Sequence, residues 1–186
     1  MNTLPIVSGK FKNQKIQQVE DNRTKYTPSK VKNAIFSILE SKRSVLNANF
    51  LDLCAGSGQM GFEALSRGAT FSTFVDISDK AIKALKNNVQ KLQVADSVRI
   101  IKKDVIRFLM NPPEMYDIIF IDPPFNEKLY YRIMKMFLST QEILKPGGRI
   151  IVESSKDIEI DNNEYYIIED KYLYSSVKIE ILKRKG

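Results

Sequence analysis

From residue 49 onward, short apolar runs alternate with stretches whose apolar residues recur every three or four positions, and this alternation limits the fold more than any other feature of the 186-residue chain. Phe50-Leu51-Asp52-Leu53 predicts a strand, Met60 to Arg67 a helix stopped by Gly68, and Phe71 to Val75 a second strand. Ile82, Leu85, Val89 and Leu92 lie at helical spacing behind Ser78 as N-cap, and Val98-Arg99-Ile100-Ile101 follows as a strand. Tyr116 to Ile121 is so continuously apolar that it predicts a strand buried on both faces. Tyr130, Ile133, Met134 and Phe137 predict the next helix, and Pro146-Gly147-Gly148 a turn into a strand over Arg149 to Glu153. Residues 155–163 read as a polar loop, and strand-rich segments at Tyr165 to Ile168 and Val177 to Leu182 close the chain. Strands that alternate with helices build a mostly parallel sheet covered on both faces, so the expected class is α/β.

The first 48 residues break this rhythm. Ile6-Val7 and Ile16 to Val19 flank a polar Ser8 to Asn13 segment, which predicts a short hairpin or extended arm. Thr27 is the expected N-cap of a helix with Pro28 at its first position, and Val31, Ala34, Ile35, Ile38 and Leu39 form one apolar stripe. Residues 1–48 thus read as a basic arm and amphipathic helix docked on a 49–186 core, effectively one domain. Of the net charge of +7, six charges fall within residues 1–43, where nine basic residues face three acidic ones. Such concentration points to a polyanion, with Lys10, Lys12, Lys15, Arg23, Lys25, Lys30 and Lys32 as phosphate contacts.

Composition closes off other chemistry. A chain without His cannot build a Ser-His-Asp triad or a His-ligated zinc site, and Cys54 alone makes neither a disulfide nor a Cys₄ centre, so no metal is expected. The longest apolar run, Ile118 to Ile121, is far short of the roughly 20 residues of a membrane helix. With no secretory leader visible at Met1 to Pro5, a cytoplasmic monomer away from membranes is the expectation.

Two motifs carry the chemistry. Asp52-Leu53-Cys54-Ala55-Gly56-Ser57-Gly58-Gln59-Met60-Gly61 ends the first strand of the alternating part, where small residues let backbone approach a ligand and the following helix N-terminus faces it. Asp76 lies twenty residues after Gly56 at the end of the next strand, placed to accept ribose hydroxyls. A nucleotide-type cofactor is expected there. The second motif, Asp122-Pro123-Pro124-Phe125, follows the doubly buried strand. Two prolines force a rigid extended turn, so the Asp122 carboxylate and Pro123 carbonyl can converge as acceptors on an exocyclic amine, while Phe125 offers a face for an extruded base.

These motifs together resemble the class I S-adenosylmethionine-dependent methyltransferases that modify exocyclic amines of bases. With Ser8-Gly9-Lys10-Phe11-Lys12, Thr27 to Lys32 and Gly61 to Ala69 added, the chain is more narrowly similar to the RsmD family of bacterial small-subunit ribosomal RNA guanine-N2 methyltransferases, over Ile6 to Leu182. The resemblance implies a Rossmann-like fold whose seven-stranded sheet has a reversed last strand. It also implies S-adenosylmethionine held by Asp52, Ala55, Gly56, Ser57 and Gly58, by Asp76 with Ile77, and by Asp104 with Val105. Asp122, Pro123, Pro124 and Phe125 would hold a guanine of 16S RNA, guanine 966 by family analogy, and the partner would be that RNA or the small-subunit particle.

The chain departs from the family pattern in two places. Lys25-Tyr26-Thr27 stands for the usual Arg-Pro-Thr, and Lys12 to Lys15 for a glycine- and arginine-rich arm. Lys does not replace Arg at a bidentate phosphate contact, so the changes bear on RNA grip rather than on methyl transfer. Three other readings stay open: a DNA adenine-N6 or cytosine-N4 methyltransferase, for which little chain remains to read a target; an NAD-dependent oxidoreductase, which leaves 122–125 unexplained; and a non-catalytic RNA-binding module.

Overall fold

The computed structural model describes residues 2–19, 26–42, 44–123, 127–138, 143–159, 164–174 and 177–185, and its N-terminal segment is a hairpin of β1 (Thr3–Pro5) and antiparallel β2 (Lys15–Gln17). Ile6, Phe11 and Ile16 of this segment are buried against Phe62, Phe74, Ile82 and Leu85. The hairpin is therefore part of the core, not a loose arm. Glu63 clamps it by accepting the N–H groups of Val7 and Ser8 at 2.8 and 3.0 Å, and Ser66 does so through its hydroxyl oxygen, which accepts Phe11 N–H at 2.9 Å.

Helix α1 (Ser29–Ser41) buries the expected stripe through Val31, Ile35, Phe36 and Leu39. Its start corrects the sequence reading. Pro28, not Thr27, occupies the cap position, without a side-chain hydrogen bond. The Thr27 hydroxyl donates instead to Glu153 Oε2 at 2.7 Å. Thr27 is buried, and a half-buried carboxylate shielded from water gains more from a donor than do helix N–H groups that water can reach.

The alternating part follows in order: β3 (Asn49–Leu53), α2 (Gln59–Ser66), β4 (Phe71–Asp76), α3 (Asp79–Leu92), β5 (Val98–Lys102), α4 (Val105–Leu109), β6 (Tyr116–Ile121), α5 (Glu127–Leu138), β7 (Leu144–Ser155), β8 (Tyr166–Tyr174) and β9 (Val177–Arg184). Seven strands form one sheet in the order β5-β4-β3-β6-β7-β9-β8, with β9 antiparallel to both neighbours and β3 to β7 mutually parallel. The reversed last strand is thus present, inserted between β7 and β8. Pairing of β6 with β7 runs from Tyr116 with Leu144 to Ile118 with Arg149, so Pro146-Gly147-Gly148 forms an irregularity inside β7 rather than a turn ahead of it.

Every residue of β6 but Asp117 is buried, as its apolar run demands. Leu51, Leu53, Ile119 and Ile121 pack on one face against Phe108, Ile133 and Phe137. Phe50, Ile118, Phe120 and Ile151 pack on the other against Phe36, Leu39 and Met60. From β3 the chain winds outward through β4 to β5, then returns to lay β6 on the other side of β3. The carboxyl ends of β3 and β6, where Leu53 pairs with Ile121, mark this switch, where open α/β sheets bind ligands.

Candidate active site

A cavity of about 420 Å³ opens at that switch, between the loop after β3 and the residues after β6. In the loop, Ala55 N–H donates to Val75 O at 3.1 Å and Gly58 N–H to Ala55 O at 2.7 Å, which folds residues 54–58 into a tight turn against β4. Gly56 has φ +55° and nothing within 4 Å of where a Cβ would stand, so the turn presents bare backbone to the cavity. Gly58 differs: at φ +78° its Cβ would meet Leu85, Phe62 and Phe74 at 2.6–2.9 Å. It is not among the residues that line the cavity, and its lack of a Cβ lets α2 start against the sheet.

Asp76 projects from the end of β4 at the rim, where Oδ2 accepts Gly56 N–H and Oδ1 accepts Ser78 N–H, both at 2.8 Å. Asp104 also lines the cavity and at the same time caps α4, Oδ1 accepting Arg107 N–H at 3.0 Å. Ile77 borders the cavity largely exposed, and Val105 closes it from below as a buried side chain. Ser57 Oγ is buried without a hydrogen-bond partner. Asp52 is buried and receives Gly61 N–H at 3.0 Å. Desolvation pushes its carboxyl up to about 8, with the Asp76 charge adding to the effect.

Asp122 and buried Pro123 form the opposite wall. Burial raises the Asp122 carboxyl well above the ordinary carboxylate range, and the charges of Glu153 and Asp52 raise it further. Burial raises Glu153 too, opposed by the Thr27 hydroxyl that donates to it. The Cys54 thiol, lining the cavity between the walls, is raised by burial and by the Asp76 and Asp122 charges, which makes it a poor nucleophile. Pro124 and Phe125 lie outside the described residues, as do Arg23 and Lys25.

Sequence reasoning missed Thr27, Glu153 and Tyr26. Tyr26 lines the cavity, and its hydroxyl accepts Val19 N–H at 3.0 Å and donates to Val19 O at 3.2 Å. An acid closing the otherwise apolar Ile150-Ile151-Val152 run is the signal that could have found Glu153.

The basic residues divide. Lys10, Lys12, Lys15 and Lys30 are exposed. Lys32, expected at RNA phosphates, is 1% exposed. Its Nζ lies 3.3 Å from Glu63 Oε2 and donates to Pro5 O at 2.9 Å. A buried carboxylate on α2 demands a cation, so this lysine serves the hairpin's docking and is not a phosphate contact. Among the described residues no group of three or more His, Cys, Asp or Glu could hold a metal, and no helix is long and apolar enough to cross a membrane.

Comparison with known proteins adds independent findings. The family model described as conserved hypothetical protein 95 matches residues 4–183. A Buchnera aphidicola protein named ribosomal RNA small subunit methyltransferase D is 34% identical, covering 81% of this chain and 78% of its own. An uncharacterized methylase of Rickettsia prowazekii is 30% identical over 97% of both chains. The solved structure of a putative methyltransferase from Escherichia coli superposes with a TM-score of 0.88 at 24% identity, over 99% of each chain.

Proposed function

Because the chain belongs to the RsmD family, we propose that it transfers a methyl group from S-adenosylmethionine to the exocyclic N2 amine of a guanine in small-subunit ribosomal RNA, with guanine 966 as the target. The observation that carries the reading is the cavity at the sheet's switch point, with bare Gly56 backbone and Asp76 on one wall and Asp122 with Pro123 on the other. The residues fit such a cofactor. Gly56 leaves room where any side chain would intrude, and Ser57 Oγ is a buried polar atom without a partner. When bound, S-adenosylmethionine supplies an electrophilic methyl group on a sulfonium.

Asp76, held by two backbone N–H groups, has lone pairs left for ribose hydroxyls. Asp104 and exposed Ile77 flank the space for the adenine. The Asp122 carboxylate and the Pro123 carbonyl accept the two N–H groups of the guanine amine and aim its nitrogen at the methyl group, with Phe125 as the stacking face. Orientation does most of the work, because that amine is a weak nucleophile and the departing thioether is neutral. Protonation would turn one Asp122 oxygen into a donor facing the amine and remove its charge, so its raised titration makes turnover climb with pH through a value above the ordinary carboxylate range. Exposed Lys10, Lys12, Lys15 and Lys30 grip phosphates, and the enzyme works as a cytoplasmic monomer.

Incubation with small-subunit particles, and in parallel with DNA, in the presence of tritiated S-adenosylmethionine, followed by nucleoside analysis, tests the reading. Label in N2-methylguanosine is expected. Label in methylated adenine or cytosine of DNA, or none in any nucleic acid despite cofactor binding, would overturn it.

A further inference from the structure

Asp122 and Glu153 each follow one member of the last register pair of two neighbouring parallel strands, Ile121 with Val152. Strand alternation puts both on the face that carries Phe120 and Ile151. Neighbouring strands are about 4.8 Å apart, so two carboxyl groups share one corner at the carboxyl edge of the sheet. Only Asp122 lines the cavity; Glu153 stands beside it and receives the Thr27 hydroxyl at 2.7 Å. Asp52 adds a third acid from β3, opposite Phe120. The Cys54 thiol, Tyr26, Asp76, Lys103 and Asp104 line the same cavity, and the charge of Asp122 acts on Cys54.

We propose that Glu153 is a positioning residue of the methyl-transfer site, acting through Asp122 and anchored by the Thr27 hydroxyl; this rests on the methyl-transfer reading above. Two carboxyl groups on neighbouring strands in a partly buried corner hold one proton between them over a wide pH range. Thr27 donates to Glu153 and so favours the charge there, which leaves the shared proton on Asp122. During transfer the N–C bond forms and the C–S bond breaks, its electron pair staying on sulfur. The amine nitrogen then carries one proton too many. Once the pair has lost its shared proton to water, the Asp122 carboxylate takes the extra proton from the amine and passes it to water in turn. Glu153 sets how strongly Asp122 binds it, and Thr27 sets which acid is charged while the pair waits.

The test uses the cofactor-free protein with ¹³C-labelled aspartate carboxyls, the Asp122 signal being assigned with Asp122→Asn. In Glu153→Gln, which removes the neighbouring charge, the Asp122 titration should move down by about one to two pH units. In Thr27→Val the proton shifts toward Glu153, so Asp122 should again ionise at lower pH, and Thr27→Ser should restore the parental midpoint. Single-turnover methylation should show its acid limb displaced in step, with cofactor affinity and the KM for RNA unchanged. An Asp122 midpoint unmoved in both variants would overturn the inference, even if activity fell, because a mere strut alters rate without altering titration. If Glu153→Gln does not fold, the Thr27 pair decides alone. A parent protein that methylates no small-subunit RNA would defeat the functional reading, whereas the carboxyl titrations report on the acid pair regardless.

Discussion

On one wall of the cavity, Asp76 and Asp104 are partly exposed and already accept backbone N–H groups, two at Asp76 and one at Asp104, whereas on the wall proposed to hold the amine Asp122 stands beside Glu153 and within the field of Asp52, its titration displaced upward. The same side chain is used in two ways. Backbone donors fix the direction of Asp76 while leaving lone pairs for hydroxyl groups, which is what binding requires. Crowded, desolvated acids instead change charge with their surroundings, and proton handling depends on that property. The contrast follows from strand position. β4 delivers its acid to an open rim, while β6 and β7 deliver theirs to a corner closed by the segment ahead of α1.

Mutating each wall separately should split binding from chemistry. Asp122→Ala should lower single-turnover methylation by about 10²–10³, the effect of removing a preorganised polar contact to a transition state, with near-parental cofactor affinity. Calorimetry and methyl-transfer rates on one preparation check this, and a folded variant with parental rates would break the comparison. Asp76→Ala should do the reverse, costing about 1–3 kcal/mol of cofactor affinity and leaving the rate at saturating cofactor close to parental. An unchanged dissociation constant would remove Asp76 from the binding wall.

Asp52 sharpens the contrast through stability. Its folded-state value of about 8 exceeds the ordinary 3.8, so over that window the unfolded chain ionises while the folded protein retains the proton. Stability contributed by the group is therefore present at low pH and lost as pH climbs from about 4 to about 8. Asn has no proton to lose. Melting temperatures of the parent should fall relative to Asp52→Asn across the window, and a constant difference would contradict the buried environment.

The smallest effect concerns the lysines outside the cavity. Neutralising Lys12 and Lys15 should make the slope of log K against log salt shallower by about 0.7–0.9 for each phosphate that is no longer neutralised. Lys32→Met should leave that slope intact and lower the melting temperature, because it strips Glu63 of an ion-pair partner in the core. RNA titrations at several salt concentrations separate the two kinds of lysine.

Much of this was legible in the chain itself. The apolar alternation located β3 to β7 with α2, α3 and α5, the run Tyr116 to Ile121 announced a doubly buried strand, and the 52–61 and 122–123 segments lie on the cavity. Asp76 was legible too, because its distance from Gly56 reflects the length of one strand–helix–strand unit. These are local regularities, set by backbone period and by what glycine and proline permit within a few residues.

What the sequence did not disclose involves partners far apart along the chain. Thr27 read as a helix cap because Pro28 follows it, yet a carboxylate 126 positions away takes its hydroxyl. Lys32 read as one more surface cation because its neighbours are basic, yet Glu63 draws it into the core. Glu153 read as the end of a strand, and only the pairing of β6 with β7 puts it beside Asp122. Charge and hydrogen-bonding capacity act over a few ångströms whatever the separation in sequence. Local pattern therefore determined most strands and helices of this protein, and only the packed sheet decided which acids crowd together, which lysine is buried and where the cavity opens.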